Sequence, residues 1–137
     1  MSELSGRCVC GAVEYVIEKK ARMLINCHCD SCRKRNGSAF STYVVIPKKF
    51  ISMSRGLEQV KAYEVKGEGV KHFCSHCGTP LFNDNFKYPD HFMLFFGALS
   101  NAAQLSPKYN LFCESQLAWT NELSERINLP QSMDAGR

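Results

Sequence analysis

The stretch CHCDSC at residues 27–32 places three cysteines within six positions, and the basic run RKR follows it directly. Two cysteine pairs flank this triple along the chain, in RCVCG at residues 7–11 and in CSHCG at residues 74–78. Seven of the eight cysteines therefore fall into three short clusters, in the order two, three, two. Such clusters indicate disulfides, redox chemistry or metal binding, and the rest of the sequence decides among these.

The expected compartment argues against disulfides. The N-terminus, MSELSGRCVC, lacks the basic and then apolar pattern of a secretory signal. The longest apolar run, at residues 92–99, is far shorter than the roughly 20 residues that span a bilayer. We therefore expect a cytoplasmic protein that does not contact membranes. In a reducing cytosol, closely spaced cysteines favour metal or redox chemistry over a disulfide framework.

Length and composition predict one globular domain. The chain has 137 residues, of which 45% are hydrophobic and 22% are charged. These values are ordinary for a folded domain, and they argue against a collagen-like, disordered or coiled-coil protein. We predict a single domain over residues 1–130 and a flexible tail over residues 131–137, where no periodicity is visible.

Alternating and β-branched segments predict a mostly-β fold. They occupy residues 12–18, 40–46, 59–65, 70–73 and 91–98. Gly67 and Gly69 separate the third segment from the fourth, which predicts a β-hairpin. The segment at 91–98 is apolar on both faces and is expected to be covered on both sides.

Two short helices are predicted. One covers residues 30–37, with Asp30 or Ser31 as its N-terminal cap and Gly37 as its end. The other covers residues 117–127.

The number of cysteines predicts two metal sites of different kinds. A structural zinc takes four protein ligands, whereas a catalytic zinc takes three and leaves a position open. The two outer pairs together supply a closed site, and the central triple supplies an open one. Gly11 and Gly78, each just after an outer pair, predict the tight turns that bring paired sulfurs together. A single CxxC pair can also be redox-active, but two pairs and a triple favour metal.

The other candidate ligands are expected to play smaller parts. His28 lies between two ligating cysteines, so its ring would have to turn back to reach the same metal. We therefore do not count His28 among the ligands. His72, His76 and His91 are expected to be exposed or hydrogen-bonded residues of strands and turns. Cys113 stands alone and is expected to be buried in the core, as free cysteines usually are.

The net charge of +4 counts every cysteine as neutral. Seven thiolates and two zinc ions would bring the net charge to about +1. The metal sites would therefore offset most of the net positive charge, which weakens the interpretation that the protein binds nucleic acid. Two interpretations of Arg33, Lys34 and Arg35 stay open. They form a solvated basic helix face, or they stabilise nearby thiolates and attract an anionic ligand.

At these separations, RCVCGAVEYVI, CHCDSCRKRNGSAF and HFCSHCGTPLF resemble the glutathione-dependent formaldehyde-activating enzyme family, which includes centromere protein V-like proteins. The resemblance spans residues 6–130 and implies the Mss4-like fold, a zinc-binding architecture of packed antiparallel sheets. It implies one structural zinc ligand set: Cys8, Cys10, Cys74 and Cys77. It also implies that a catalytic zinc is held by Cys27, Cys29 and Cys32.

The C-terminal region both matches the family and departs from it. Trp119 and Leu129–Pro130 resemble the family's Trp and Leu-Pro stretch. Where many members have Pro-x-x-His-Ile before that Trp, this chain reads PKYNLFCES at residues 107–115. If that histidine contacts substrate in the family, the substrate of this chain differs.

The resemblance implies a carbon–sulfur lyase that joins glutathione and formaldehyde into S-hydroxymethylglutathione, or reverses that reaction. The open three-sulfur site agrees with this chemistry. Three thiolates donate much charge to zinc, so the ion lowers the pKa of bound water less and favours a thiol as its fourth ligand. Glutathione or another small thiol is the expected partner. Arg33 and Lys34 are candidate partners for its carboxylates.

Two alternatives belong to other functional classes. A binding module would capture a thiol or a partner cysteine without turnover. A zinc-stabilised nucleic-acid binder would use the RKR face, but the aromatic residues lie mainly in apolar runs such as FMLFF. Because a base-stacking surface needs aromatics interleaved with basic residues, we expect no nucleic-acid partner.

The ligand count predicts the metal content. Freshly purified protein is expected to contain up to two zinc ions per chain, and a chelator is expected to remove one ion faster, because an open position admits a competing ligand. Mass spectrometry of bound metal, with a chromophoric chelator to follow release, measures both quantities. A metal-free chain that stays folded, or disulfides among these cysteines, would contradict the prediction.

Overall fold

The computed structural model describes residues 3–18 and 22–133. Within these residues the chain forms ten strands and one α-helix. The strands are β1 (Glu3–Arg7), β2 (Glu14–Glu18), β3 (Met23–Cys27), β4 (Ser41–Pro47), β5 (Ile51–Arg55), β6 (Val60–Val65), β7 (Gly69–Cys74), β8 (Pro80–Asn85), β9 (His91–Phe95) and β10 (Tyr109–Leu111). The α-helix is α1 (Asp30–Asn36). Short 3₁₀ helices occupy Lys48–Phe50, Leu57–Gln59, Phe96–Ala98, Cys113–Ser115 and Ala118–Glu125.

The strands form two sheets. The small sheet has the order β1-β2-β5 and is antiparallel throughout. The large sheet has seven strands in the order β10-β3-β4-β9-β8-β7-β6. Its pairs are antiparallel except for the edge strand β10, which runs parallel to β3. This mixed arrangement confirms the predicted mostly-β fold of packed sheets.

The main core lies between the two sheets. Alternate side chains of a strand point to opposite faces, and β4 shows this directly. Val44 and Ile46 join the core cluster that includes Leu4 of the small sheet, whereas Tyr43 and Val45 pack on the other face. Tyr15 of β2 also meets β8 across the interface, edge-on to Phe82 at 6.0 Å between ring centroids. The second face carries its own cluster, which includes the cysteines of the central triple.

The predicted hairpin and strands are confirmed with small changes of boundary. β6 and β7 pair in register from Val60↔Cys74 to Val65↔Gly69. The segment predicted as a strand over 91–98 leaves the sheet after Phe95, where a 3₁₀ turn begins. The first predicted helix is present as α1, and Gly37 ends it in the left-handed conformation at φ 63°.

The second predicted helix, over 117–127, is not an α-helix. Ala118–Glu125 forms 3₁₀ turns with a break at Glu122, where φ is −128°. No residue of this segment is buried. Short helices gain most of their stability from packing an apolar face, so this segment lacks the contacts that would favour an α-helix.

Cys113 is exposed, so the expectation that it lies in the core was wrong. The strand before it, β10, has three residues and lies at the edge of the large sheet. The chain leaves that edge at Phe112, which has a positive φ of 59°. Cys113 then begins a surface turn, where its thiol donates to the carbonyl of Asn110 at 3.4 Å.

The C-terminal end of the chain is exposed as far as it is described. Of the predicted tail at 131–137, residues 131–133 are described and exposed, and the others lie outside the described residues. Among the helices in the described ranges, none is long and apolar enough to cross a bilayer.

Candidate metal centres

The two outer cysteine pairs converge into one cluster. Its members are Cys8, Cys10, Cys74 and Cys77, and their sulfur atoms all lie within 4.8 Å of one another. The Sγ atoms of Cys8 and Cys10 are 3.6 Å apart, and those of Cys10 and Cys74 are 3.8 Å apart. Four sulfurs at the usual zinc–sulfur distance in a tetrahedron are separated by about 3.8 Å. The cluster therefore fits a four-coordinate metal ion.

Each half of this cluster is a tight turn of the kind that the sequence predicted. In the first turn, the N–H of Gly11 donates to the carbonyl of Cys8 at 3.0 Å. In the second turn, the N–H of Gly78 donates to the carbonyl of Cys74 at 2.8 Å. Both glycines have positive φ, at 81° and 76°, which an L side chain would make costly.

Hydrogen bonds join the two turns and shift the pKa values of their thiols. The N–H of Val9 donates to the Thr79 hydroxyl at 3.0 Å, which links one turn to the other. A hydrogen bond with the same hydroxyl lowers the pKa of Cys77 to about 5. The backbone N–H of Ala12 acts to lower the pKa of Cys10, but burial and the neighbouring sulfurs raise it to about 11. Binding a metal ion to all four sulfurs must therefore release protons.

The central triple forms a second cluster, on the other face of the large sheet. Cys27, Cys29 and Cys32 place their sulfurs within 4.8 Å of one another, and the Sγ atoms of Cys27 and Cys29 are 3.6 Å apart. Cys27 ends β3, and Cys32 lies in the first turn of α1. These spacings also fit tetrahedral positions, with three of the four occupied by protein.

Cys29 caps α1, which corrects the prediction of Asp30 or Ser31 as the cap. Its backbone is extended, and its sulfur accepts the N–H of Cys32 at 3.3 Å. A sulfur that must face the other two cysteines is already positioned to accept this orphan N–H, so the following polar residues are not needed for capping. The helix N-terminus therefore also holds the cluster together.

The sulfurs of the triple differ in acidity. A hydrogen bond between Cys27 and Cys32 lowers the pKa of Cys27. The same bond, together with burial, raises the pKa of Cys32. A bound cation would counter this difference and favour thiolates at all three cysteines.

Three polar side chains around Cys32 were not singled out from the sequence. The Tyr43 hydroxyl donates to the Cys32 sulfur at 3.4 Å, and the Asn83 amide donates to the Tyr43 oxygen at 3.2 Å. The Ser41 hydroxyl donates to the Cys32 carbonyl at 2.8 Å. Ser41, Tyr43 and Asn83 are each fully buried. Their signal in the sequence is a polar residue within a strand segment. A polar side chain that a strand buries usually has a hydrogen-bond partner.

The structure places His28 outside the triple. Its ring is buried and lies against Phe40 with 5.0 Å between ring centroids. Among the described residues, neither ring nitrogen has a hydrogen-bond partner. The backbone of His28 contributes instead, because its N–H donates to the carbonyl of Leu111 at 3.0 Å and extends the pairing of β3 with β10.

The three basic residues after the triple lie in different environments. Arg33 is mostly buried, and its Nη1 donates to the carbonyls of His28 and Ser115, each at 2.7 Å. Lys34 is largely exposed and pairs with Asp30 at 2.9 Å. Arg35 pairs with Glu68 at 2.6 Å, which ties α1 to the turn between β6 and β7. The run is therefore not one uniform solvated face.

Residues 3–115 match the family model described as glutathione-dependent formaldehyde-activating enzyme. The chain belongs to this family. The matched range contains both cysteine clusters, the Tyr43 hydroxyl and the Asn83 amide. It ends before the exposed 3₁₀ segment at Ala118–Glu125.

The relatives that this chain matches are distant. A Halomonas elongata protein named for the family is 25% identical over 123 residues, which cover 85% of this chain and 78% of that protein. An uncharacterized lyase of Schizosaccharomyces pombe is 30% identical over 82 residues, which cover 60% and 58%. A Fusarium vanettenii protein named for the family is 28% identical over 78 residues, which cover 56% and 42%.

A solved structure of a Rhodobacter sphaeroides protein shares the fold. It superposes with a TM-score of 0.63 at 22% identity, and the match covers 77% of this chain and 98% of that chain. The match confirms the predicted mostly-β fold of packed sheets.

The two clusters predict different costs when one ligand is lost. We expect Cys74→Ser to destabilise the fold by more than about 4 kcal/mol, because Cys74 is fully buried and its cluster joins the two sheets. We expect Cys29→Ser to cost less than about 1 kcal/mol, since serine also caps helices well. Thermal and denaturant unfolding of both variants, with their metal content, gives the comparison. Equal destabilisation would contradict a structural role for one cluster alone.

Proposed function

We propose that this protein is a zinc-dependent carbon–sulfur lyase or synthase that acts on a glutathione adduct such as S-hydroxymethylglutathione. The observation that carries the proposal is the unequal number of sulfurs in the two clusters. Four cysteines complete one tetrahedron, whereas no further Cys, His, Asp or Glu of the described residues joins Cys27, Cys29 and Cys32. A site with three ligands has room for a substrate atom.

Zinc is the metal that suits both clusters. Sets of thiolates in tetrahedral geometry select zinc or iron–sulfur centres among the common metals, and the sulfur separations match the zinc–sulfur distance. Bound at the triple, zinc would supply a fourth coordination position that accepts a thiol sulfur as its thiolate. We assign Cys8, Cys10, Cys74 and Cys77 to a structural ion. We assign Cys27, Cys29 and Cys32 to a catalytic ion.

The protein groups around the triple suit an anionic site. The sulfur of Cys29 accepts a backbone N–H at the start of α1, and the sulfur of Cys32 accepts the Tyr43 hydroxyl. These donors stabilise negative charge on buried sulfurs. The site is built to hold thiolates, so a further thiol is a chemically matched fourth ligand.

The proposed reaction is an addition without redox change. In the synthetic direction, the glutathione sulfur forms a bond to the carbon of formaldehyde. The electron pair of the carbonyl moves to oxygen, and the thiol proton ends on that oxygen. The product is the hemithioacetal, and the reverse reaction breaks the same carbon–sulfur bond. The names of relatives in this family and of the fission yeast lyase support this reaction class.

Lys34 and Arg33 are the proposed contacts for the carboxylates of glutathione. Lys34 can exchange its partner Asp30 for a glutathione carboxylate at little cost, because Asp30 is exposed and an exposed ion pair contributes little stability. Arg33 already donates to two carbonyls, so its contribution includes holding residues 113–115 beside the site.

The direct test of the proposal compares glutathione with S-methylglutathione. We expect glutathione to bind through its sulfur and S-methylglutathione to bind more than about tenfold more weakly, a difference of at least about 1.4 kcal/mol. Isothermal titration gives the affinities, and X-ray absorption at the zinc edge reports a fourth sulfur at the open site. Tight binding of both compounds, with no change at the zinc edge, would indicate a peptide-binding pocket instead. Sulfur binding without formaldehyde turnover, followed by NMR, would indicate thiol capture.

The charge of Lys34 gives a second test. We expect Lys34→Ala to weaken glutathione binding by about threefold and to leave mercaptoethanol binding unchanged, because an exposed pair contributes roughly 0.2–1 kcal/mol. Lys61→Ala is the control, since Lys61 is exposed on β6 and far along the sheet from β3. Equal effects of Lys34→Ala on both thiols would exclude a carboxylate contact.

A further inference from the structure

Tyr43 is a buried polar group directly beneath the open cluster. It lies on β4, is 0% exposed, and packs its ring against Phe95 with 5.1 Å between centroids. Its hydroxyl is 3.4 Å from the Cys32 sulfur. Since the ring is packed in the core, the hydroxyl has a fixed position relative to that sulfur.

Asn83 orients the Tyr43 hydroxyl. It is also 0% exposed and lies on β8, which is separated from β4 by β9 in the large sheet. Its Nδ2 donates to the Tyr43 oxygen at 3.2 Å. A phenol oxygen that accepts one hydrogen bond still has its own hydrogen to donate. In the structure, the hydroxyl donates that hydrogen to the Cys32 sulfur.

The other two sulfurs of the triple receive hydrogen bonds from the backbone. The sulfur of Cys29 accepts the N–H of Cys32, and the sulfur of Cys27 accepts the N–H of Cys29. Among the described residues, Cys32 is the one cysteine of the three whose sulfur accepts from a side chain outside the triple. A substitution can therefore remove the donor to Cys32 while the geometry of the turn stays intact.

We propose that Tyr43 and Asn83 form a hydrogen-bonded pair of positioning residues that sets the metal affinity and the electron donation of the Cys32 sulfur. Hydrogen bonds to a ligating sulfur stabilise its negative charge and reduce the charge that it donates to the metal. The bound ion then keeps more positive charge for its fourth ligand. This inference rests on the proposed function only in taking the triple as a metal site.

Tyr43→Phe tests the inference, because it removes the hydroxyl and keeps the ring. Tyr15→Phe is a matched control. Tyr15 is also 0% exposed, and its hydroxyl has no hydrogen-bond partner among the described residues. Both variants are loaded with cobalt, and their absorption spectra are recorded. The spectrum of cobalt-loaded Cys29→Ser, which retains the complete four-sulfur cluster, is subtracted to leave the absorption of cobalt at the triple.

We expect Tyr43→Phe to weaken metal binding at the triple by about tenfold or more, the usual effect of losing such an outer partner. We also expect its sulfur-to-cobalt charge-transfer band to move to longer wavelength, because an unbonded thiolate gives up electrons more readily. Tyr15→Phe is expected to change neither quantity. Unchanged affinity and an unchanged band in Tyr43→Phe would overturn the inference.

A second variant covers the case in which Tyr43→Phe fails to fold. Asn83→Leu keeps a similar volume and is expected to shift the same band in the same direction by a smaller amount. No shift in Asn83→Leu would also overturn the inference. A chain that binds cobalt normally but does not bind glutathione would refute the proposed reaction and leave this inference intact. A wild-type triple that takes up no cobalt would refute both.

Discussion

The convergence of four sulfurs from residues 8–10 and 74–77 is the constraint on which the rest of the structure depends. Cys8 follows β1 of the small sheet, and Cys74 ends β7 of the large sheet, so the cluster joins the two layers. Each layer alone exposes an apolar face, and Leu4, Tyr15 and Phe82 are buried only where the layers meet. The sulfur cluster and the core therefore stabilise the same arrangement.

The hairpin of β6 and β7 connects the two candidate metal centres. One end of β7 carries Cys74 of the closed cluster. Near the other end, Lys71 donates to the carbonyl of Arg35, and Glu68 of the turn accepts from Arg35 and Ser31. These contacts hold α1 against the large sheet, and α1 contains Cys32 and is capped by Cys29. A single hairpin thus sets the position of both centres.

The central triple combines a strand end, a helix start and a sheet face. Cys27 ends a strand, Cys29 caps α1, and Cys32 rests over Tyr43. Rigid elements therefore surround the sulfurs, which suits the proposed metal site with one free coordination position. The exposed residues after β10 are tied to α1 by the hydrogen bond from Arg33 to the Ser115 carbonyl, and they lie in the stretch where the sequence departs from the family resemblance.

The sequence by itself determined the features that depend on local spacing. The cysteine intervals separated the two sulfur clusters, Gly11 and Gly78 indicated the turns of one of them, and alternation indicated the strands and the β6–β7 hairpin. Tertiary structure alone decided the features that depend on register between distant strands. It exposed Cys113 at a sheet edge and turned Arg33 toward Ser115. It also brought Asn83 to the Tyr43 hydroxyl, because a contact across three strands follows from how they are ordered and paired, which no local pattern records.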